Sequence, residues 1–339
     1  MSPTDFAEIR ELLRNLPAAD EAARAAARAR QRVLTKPEGA LGRLEELAAW
    51  LAAWQGREPP RLERVTALVF AANHGVAARG VSAFPAEVTA QMVANFEAGG
   101  AAINQLARLA GAELQVHALT LTQPTADFTA APAMEIGECM EAFARGFAAL
   151  PEPCDLLLLG EMGIANTTAA AAIAAALFGG GVREWVGPGT GLDGAGLARK
   201  AEVVAAGLER HRAALGEPLE VLRRLGGREI AALAGALLAA RLRPLPVLLD
   251  GYVVGSAAAI LYALEPTALD HAEAAHLSAE PAHRALLRRL GKVPILDLGM
   301  RLGEASGAAL AALVLRAALA THTGMASFAE AGVAARKDT

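Results

Sequence analysis

The sequence predicts an α/β protein built on a parallel sheet with helices over both faces. Three observations carry that prediction. Apolar runs of strand length recur along the chain, each followed by a glycine-rich turn and a helical stretch. These runs have little polar alternation, as expected of strands buried on both faces. Hydrophobic residues make up 54% of the 339 residues and charged residues 20%, a composition suited to a large core.

The elements follow in order. Residues 5–55 read as helix, in the runs EIRELLRNL, DEAARAAARARQRVL and LGRLEELAAWLAAWQ. Alanine and arginine favour that conformation, and the Pro and Gly of TKPEGALG mark a loop before the third run. Strand texture begins at RVTALVFAAN (64–73). It recurs at CDLLLLGEMG (154–163), VREWVGPGTG (182–191), LPVLLDGYV (245–253) and VPILDLGMRLG (293–303). The stretch LVLRAALATHTGMASFAEAGV returns to helix and is expected to pack on the N-terminal helices, while the tail AARKDT is expected to fray.

Several function classes are disfavoured. A formal net charge of −4 offers no electrostatic case for nucleic acid or an anionic membrane. The greasiest stretches are interrupted by Arg241, Arg243, Pro244 and Arg316, so they read as core elements and not as membrane spans. Cys139 and Cys154 make neither a metal spacing nor a disulfide framework, and the N-terminus shows no apolar leader. A reducing, cytoplasmic setting is the expectation. His271, His276 and His283 do not share a helical turn and are read as no metal site. Neither metal nor cofactor is expected.

Ligands in parallel sheets collect at the carboxyl ends of strands, and four constellations fall there. In LLLLGEMGIANTT, Glu161 sits on a turn before a helix whose first N–H groups, with Asn166 and Thr167, can receive an anion. By spacing alone, a solvated turn acid reads equally well. In VGPGTGLD, Gly187, Gly189, Thr190 and Gly191 can wrap an anion, although no P-loop pattern follows and a structural loop reads better. Lysine is scarce in this chain, and both Lys36 and Lys200 lie near glycine-rich loops. In LDLGMRLGEASG, Glu304 stands at a helix start, where the helix dipole lowers its pKa and burial raises it. By spacing alone, a helix-stabilising acid reads better there than a catalytic base. In ANHGVAARGVSAFPAEVTAQ, His74 follows a strand, and Ser82, Phe84 and Gln91 follow on a loop and helix. A lone histidine is read there as a structural hydrogen-bonder.

Eight stretches together resemble the nicotinate-nucleotide–dimethylbenzimidazole phosphoribosyltransferase family. They are KPEGALGRLEEL, ANHGVAARGVSAFPAEVTAQMVANFEAGGAAIN, GEMGIANTTAAAAI, GPGTGLD, LDGYVVGSAAAIL, HLSAEPAHR, LDLGMRLGEASGAALA and MASFAEAGV, in family order from about residue 36 to 333. The resemblance implies a Rossmann-like parallel sheet in a large domain, about 61–304. It implies a small helical domain formed from both chain ends, 1–60 plus about 305–339, and a homodimer. It implies small-molecule substrates: 5-phosphoribosyl passes from nicotinate mononucleotide to 5,6-dimethylbenzimidazole, giving α-ribazole 5′-phosphate and nicotinate in cobalamin lower-ligand synthesis. Alternatives are a purine or phenolic acceptor, a hydrolase, or a non-catalytic homologue. The resemblance carries the catalytic base onto Glu304 and a second important carboxylate onto Glu161. It puts Ser82, Phe84, Gln91, Met162 and Leu302 on the acceptor pocket, and GPGTG with Asn166–Thr167 on the phosphate. This chain has Asn73, Ala165, Ala305 and Ser306 where the family has Asp, Gly, Gly and Thr. Alanine disfavours positive φ, so a backbone different from a glycine's is expected at 305.

Overall fold

The computed structural model describes residues 2–334, and all of the AARKDT tail except Ala334 lies outside the described residues. The chain opens with three helices, α1 (Phe6–Arg14), α2 (Glu21–Val33) and α3 (Arg43–Gln55). Asp5 and Asp20 start the first two by accepting from the N–H groups of Glu8 and Ala23. Gly56, in the left-handed conformation, ends the third. Next come β1 (Val65–Ala71), α4 (Glu87–Glu97), α5 (Ala102–Ala110), β2 (Ala112–Ala118), α6 (Ile136–Ala148) and β3 (Leu156–Met162). Helices α7 (Asn166–Phe178), α8 (Val182–Trp185), α9 (Gly194–His211), α10 (Pro218–Leu225) and α11 (Arg228–Leu242) lead to β4 (Val247–Leu249). The chain finishes with α12 (Tyr252–Leu264), β5 (Ala272–Ala274), α13 (Pro281–Arg289), α14 (Ser306–Gly324) and α15 (Phe328–Ala331).

The strands of the sheet pair in parallel, in the order β2-β1-β3-β4-β5. From β1 the chain goes to one side for β2 and to the other for β3, which opens a crevice at their carboxyl ends. Along each strand, side chains alternate between two apolar layers. Leu68 and Phe70 of β1 and Leu157 and Leu159 of β3 pack with α6, α7, α11 and α12. Val65, Ala67, Val69, Leu156 and Leu158 face the other way, against Leu47, Trp50 and Leu51 of α3 and Ala308, Ala312 and Leu315 of α14. Both chain ends therefore supply the second layer. A bridge between Leu34 and Ser327, and the Arg30 Nε bond to the His322 carbonyl (2.7 Å), tie those ends together.

Two predicted strands are corrected. VREW is a single helical turn: Gly181 N–H donates to Glu184 (3.2 Å), and the indole of Trp185 donates to the Gly179 carbonyl (2.7 Å). The run 293–303 contributes only an isolated bridge, Leu296 to His276. Pro294 has no N–H to give, and the run pairs with β5 and the segment after it only through Ile295, Leu296 and the Met300 carbonyl, too few in register to make a ladder. Two strands went unpredicted. The edge strand β2 is only partly buried and carries Glu113, Gln115 and His117, so its run is not apolar; β5 is three residues long. Helix α14 is long and apolar enough to cross a membrane by length and composition. In this fold it packs on α3 and α5, and its Arg316 Nε donates to the Ala110 carbonyl (2.6 Å).

Helices α6 and α11 meet backbone to backbone. A Cβ on Gly235 would collide with the Phe143 carbonyl, and one on Gly146 with the Ala232 carbonyl. In an exposed helix, Gly→Ala stabilises by about 1 kcal/mol. Here Gly235→Ala is expected to destabilise by about 1–3 kcal/mol through overpacking, read from urea denaturation. A gain in stability would show that these helices are not in close contact.

Candidate active site

A cavity of about 250 Å³ lies at the carboxyl ends of β1, β3, β4 and β5. Its walls include Ser82 and Phe84 after β1, Glu161 to Thr167 at the end of β3, Gly251 to Val253 after β4, and His276, Ser278 and Glu280 after β5. Gly189, Thr190 and Arg301–Gly303 complete it. Of the predicted site residues, Ser82, Phe84, Glu161, Met162, Asn166, Thr167, Gly189, Thr190 and Leu302 line this one space. The Ser82 and Thr190 hydroxyls meet at 3.1 Å and join the two loops.

The other predicted residues stand apart from the wall. Lys200 is fully buried behind it, donating to Thr167 Oγ1 (2.8 Å) and the Gly187 carbonyl (3.0 Å). Gly187 is packed so closely on Glu280 that a Cβ would collide with the carboxylate. Gly191 N–H closes a turn onto the Pro188 carbonyl (2.9 Å). Gln91 is exposed on α4. Lys36, in the loop before α3, pairs with Glu45 in the first turn of that helix (2.8 Å). The structure brings neither Gln91 nor Lys36 to the cavity. The Gly189 N–H, expected to face an anion, donates instead to Glu280 (3.1 Å). Helix α7 starts at the cavity with no side-chain cap, so its first N–H groups suit an anion.

Glu304 lies directly behind Gly303 of the wall, 3% exposed, with Oε2 lacking a hydrogen-bond partner among the described residues. Its N–H donates to the Glu161 carbonyl (3.2 Å), which docks the turn onto β3. The expectation that Ala305 keeps out of positive φ is overturned: Glu304 and Ala305 both stand at φ +62, and Ala165 at +74. Each such residue costs roughly 1–2 kcal/mol, so the surroundings must hold the turn. Gly160 lies against the Ala305 backbone and Cβ, and Ser306 Oγ donates to the Gly303 carbonyl (2.7 Å).

The electrostatics are one-sided. Burial pushes Glu161 up to about 8, and the charges acting on it, from Glu229, Asp250 and Glu304, are all acidic; only the amide of Asn166 pulls the other way. Burial raises Glu304 to about 7. Burial also raises Asp250 to about 7, against backbone N–H donors that lower it. Lys200 is lowered by burial to about 8, opposed by Glu280. His74 is bonded through Nε2 to Glu229 (2.6 Å), the structural role read for it.

Sequence reading missed Asp250, His276, Glu280 and Arg301. Asp250 carried a usable signal, because LLDG puts a carboxylate at a strand end as LLGE does for Glu161. Glu280 follows no recognised strand and Arg301 lies in a run that does not form its predicted strand, and only folding brings them to the Gly189 loop, where Arg301 Nη1 donates to its carbonyl (2.7 Å).

The chain is similar along nearly its whole length to proteins of one family. A family model described as phosphoribosyltransferase matches residues 16–333. A nicotinate-nucleotide–dimethylbenzimidazole phosphoribosyltransferase of Cereibacter sphaeroides is 60% identical over 331 residues, covering 98% of each chain. One from Mesorhizobium japonicum is 60% identical over 326 residues, covering 96% of this chain and 97% of its own. The crystal structure of the enzyme so named from Thermus thermophilus matches with TM-score 0.87 at 43% identity, covering 94% of this chain and 100% of that one.

The raised pKa of Glu161 has a consequence for stability. The folded state keeps this proton to about pH 8, whereas an exposed carboxyl loses it near 4.5. Folding therefore takes up a proton between those values, and this residue makes stability fall as pH rises through that window. Glu161→Gln is expected to flatten that slope, measured as urea midpoints across the window. An unchanged slope would mean that Glu161 is ionised in the folded protein.

Proposed function

The chain belongs to the nicotinate-nucleotide–dimethylbenzimidazole phosphoribosyltransferase family, and on that premise we propose that it moves 5-phosphoribosyl from nicotinate mononucleotide to 5,6-dimethylbenzimidazole. The products are α-ribazole 5′-phosphate and nicotinate, used in cobalamin lower-ligand synthesis. One observation carries the reading: buried acids that repel one another stand beside a cavity with apolar walls. That field favours a cationic ligand, such as a pyridinium, and an oxocarbenium-like transition state.

The chemistry asks little of the protein. The anomeric C–N bond of the donor breaks with its electron pair on the pyridine nitrogen, so nicotinate leaves without needing a proton. The acceptor attacks through its bare ring nitrogen, which makes its other N–H acidic. One base then completes the reaction. We assign this role to Glu304, whose Oε2, without a hydrogen-bond partner among the described residues, and whose pKa of about 7 suit it. Glu161, on the cavity wall, holds its proton in the free protein; a cationic ligand lowers that proton affinity, and the ionised carboxylate then stabilises positive charge on the ribose. A single displacement converts the β donor to the α product. Alignment of two bound substrates is worth up to about 7–11 kcal/mol.

We assign the acceptor to the side of Phe84, Met162, Leu302 and Ser82, and the phosphate to the α7 start, Asn166, Thr167 and the 187–191 loop backed by Lys200, whose Gly189 N–H becomes free for it once the Glu280 carboxylate is displaced. Arg301 on the rim adds the exposed positive charge an anionic donor needs. We also infer a homodimer, with the exposed Phe84, Leu298 and Leu302 as part of a covered face, and a cytoplasmic setting, in keeping with two free cysteines. Light scattering on the purified protein tests the dimer.

A second reading has an observation behind it. Glu161 lines the cavity and Glu304 does not, so Glu161 can take the proton while Glu304 holds the turn. Paired variants separate the two. Under the first reading Glu304→Gln lowers kcat by roughly 100-fold or more, retains nucleotide binding by calorimetry, and loses a rising pH limb at about 7. Retention of that limb in Glu304→Gln, with its loss in Glu161→Gln, favours the second. Nicotinate mononucleotide and dimethylbenzimidazole, incubated with enzyme and followed by mass, test the activity itself. Nicotinate release without acceptor would instead indicate a hydrolase.

A further inference from the structure

Helix α14 begins without the side chain that normally closes a helix start. Its N-cap is Ala305, which supplies no side-chain bond. The four free N–H groups of a buried helix start need acceptors. One comes from elsewhere in the chain: Asp250, the residue after β4, accepts the Ala308 N–H at 2.9 Å. The N–H groups of Gly307 and Ala305 act on the same carboxylate. Asp250 is 1% exposed, and its neighbours Gly251 to Val253 line the cavity.

The turn is thus held from two strands. On one side Gly160 of β3 touches Ala305, and the Glu161 carbonyl accepts the Glu304 N–H. On the other side β4 offers the Asp250 carboxylate. His276 fills the space beside it, with Nε2 3.7 Å from Asp250 Oδ1 and its ring so near Gly307 that a Cβ there would collide. Glu304 lies between these clamps in a strained backbone conformation. Loss of either clamp frees the turn to relax toward negative φ, which redirects the Glu304 side chain.

We propose that Asp250 is a positioning residue, which caps α14 from the end of β4 and through that cap holds Glu304 in place for the transfer. This rests on the transferase reading for its kinetic consequences, but the cap itself has a separate readout. Asp250 touches no substrate in this scheme. Its effect is expected in kcat, with little change in the KM for nicotinate mononucleotide.

The test uses the full-length enzyme and the variants Asp250→Asn, Asp250→Ala, Glu304→Gln and the double variant Asp250→Ala/Glu304→Gln. Asp250→Ala is expected to lower kcat by roughly 100-fold through misplacement of the reacting group. Asp250→Asn keeps an oxygen for the Ala308 N–H and is expected to retain most of kcat. In the Glu304→Gln background, Asp250→Ala should add little further loss, because one effect acts through the other. Amide exchange should speed up at Ala308 and the preceding turn in Asp250→Ala, with β1 still protected. Losses that multiply in the double variant overturn the proposal, as does an Asp250→Asn enzyme as impaired as any alanine variant. If Asp250→Ala does not fold, the Asn variant with and without Glu304→Gln decides by the same criteria. If the wild-type enzyme itself transfers nothing, the functional reading fails, and exchange at Ala308 still decides whether Asp250 is the cap.

Discussion

The structure depends most on the seam where β3 meets the turn before α14. Gly160 leaves no room for a side chain, so the backbone at Ala305 lies directly on the strand. That contact lets the Glu304 N–H reach the Glu161 carbonyl and brings two acids from distant parts of the chain within electrostatic reach of each other. A bulkier residue at 160 would push α14 off the sheet. It would separate the two acids and open the apolar layer that α14 shares with α3.

Such a seam is costly, and the cost is concentrated where function is proposed. Two consecutive non-glycine residues, Glu304 and Ala305, hold positive φ, and a third, Ala165, does so at the start of α7. Glu161, Asp250 and Glu304 are buried with raised proton affinities and repel one another. Stability alone would select against this arrangement. Its value lies in a group of acids with raised proton affinity, which a cation entering the cavity can draw into their ionised forms, while Lys200 and Arg301 stand toward the opposite loop. Glu161 and Glu304 thus lie on one side of this small space, and on the other Lys200 and Arg301 flank the Glu280 carboxylate that holds the 187–191 loop.

How much could be read beforehand varied with the size and apolarity of each element. The three N-terminal helices, β1, β3 and β4 carry strong apolar or capping signals and were legible. The edge strand β2 faces solvent in part and the short β5 offers three residues, so neither stands out from a loop. VREW and the 293–303 run have strand-like residues, but a capping acid in one and Pro294 in the other prevent a ladder. Within the site, the acids that follow strands were recognisable by position. Gln91 and Lys36 share the motif stretches yet lie off the cavity, because motif membership does not specify which way a side chain faces.

By itself the sequence determined the class of fold and the family, and put Glu161 at a strand end and Glu304 at a helix start, since these follow from local apolar runs, glycine turns and ordered motifs. Only the tertiary structure decided that Glu304 lies behind the wall, that Ala305 is forced to positive φ, and that Asp250 closes α14. The reason is physical. A residue's preferred conformation is local, but burial, proton affinity and a cap supplied from another strand are set by neighbours that only the packed chain brings together.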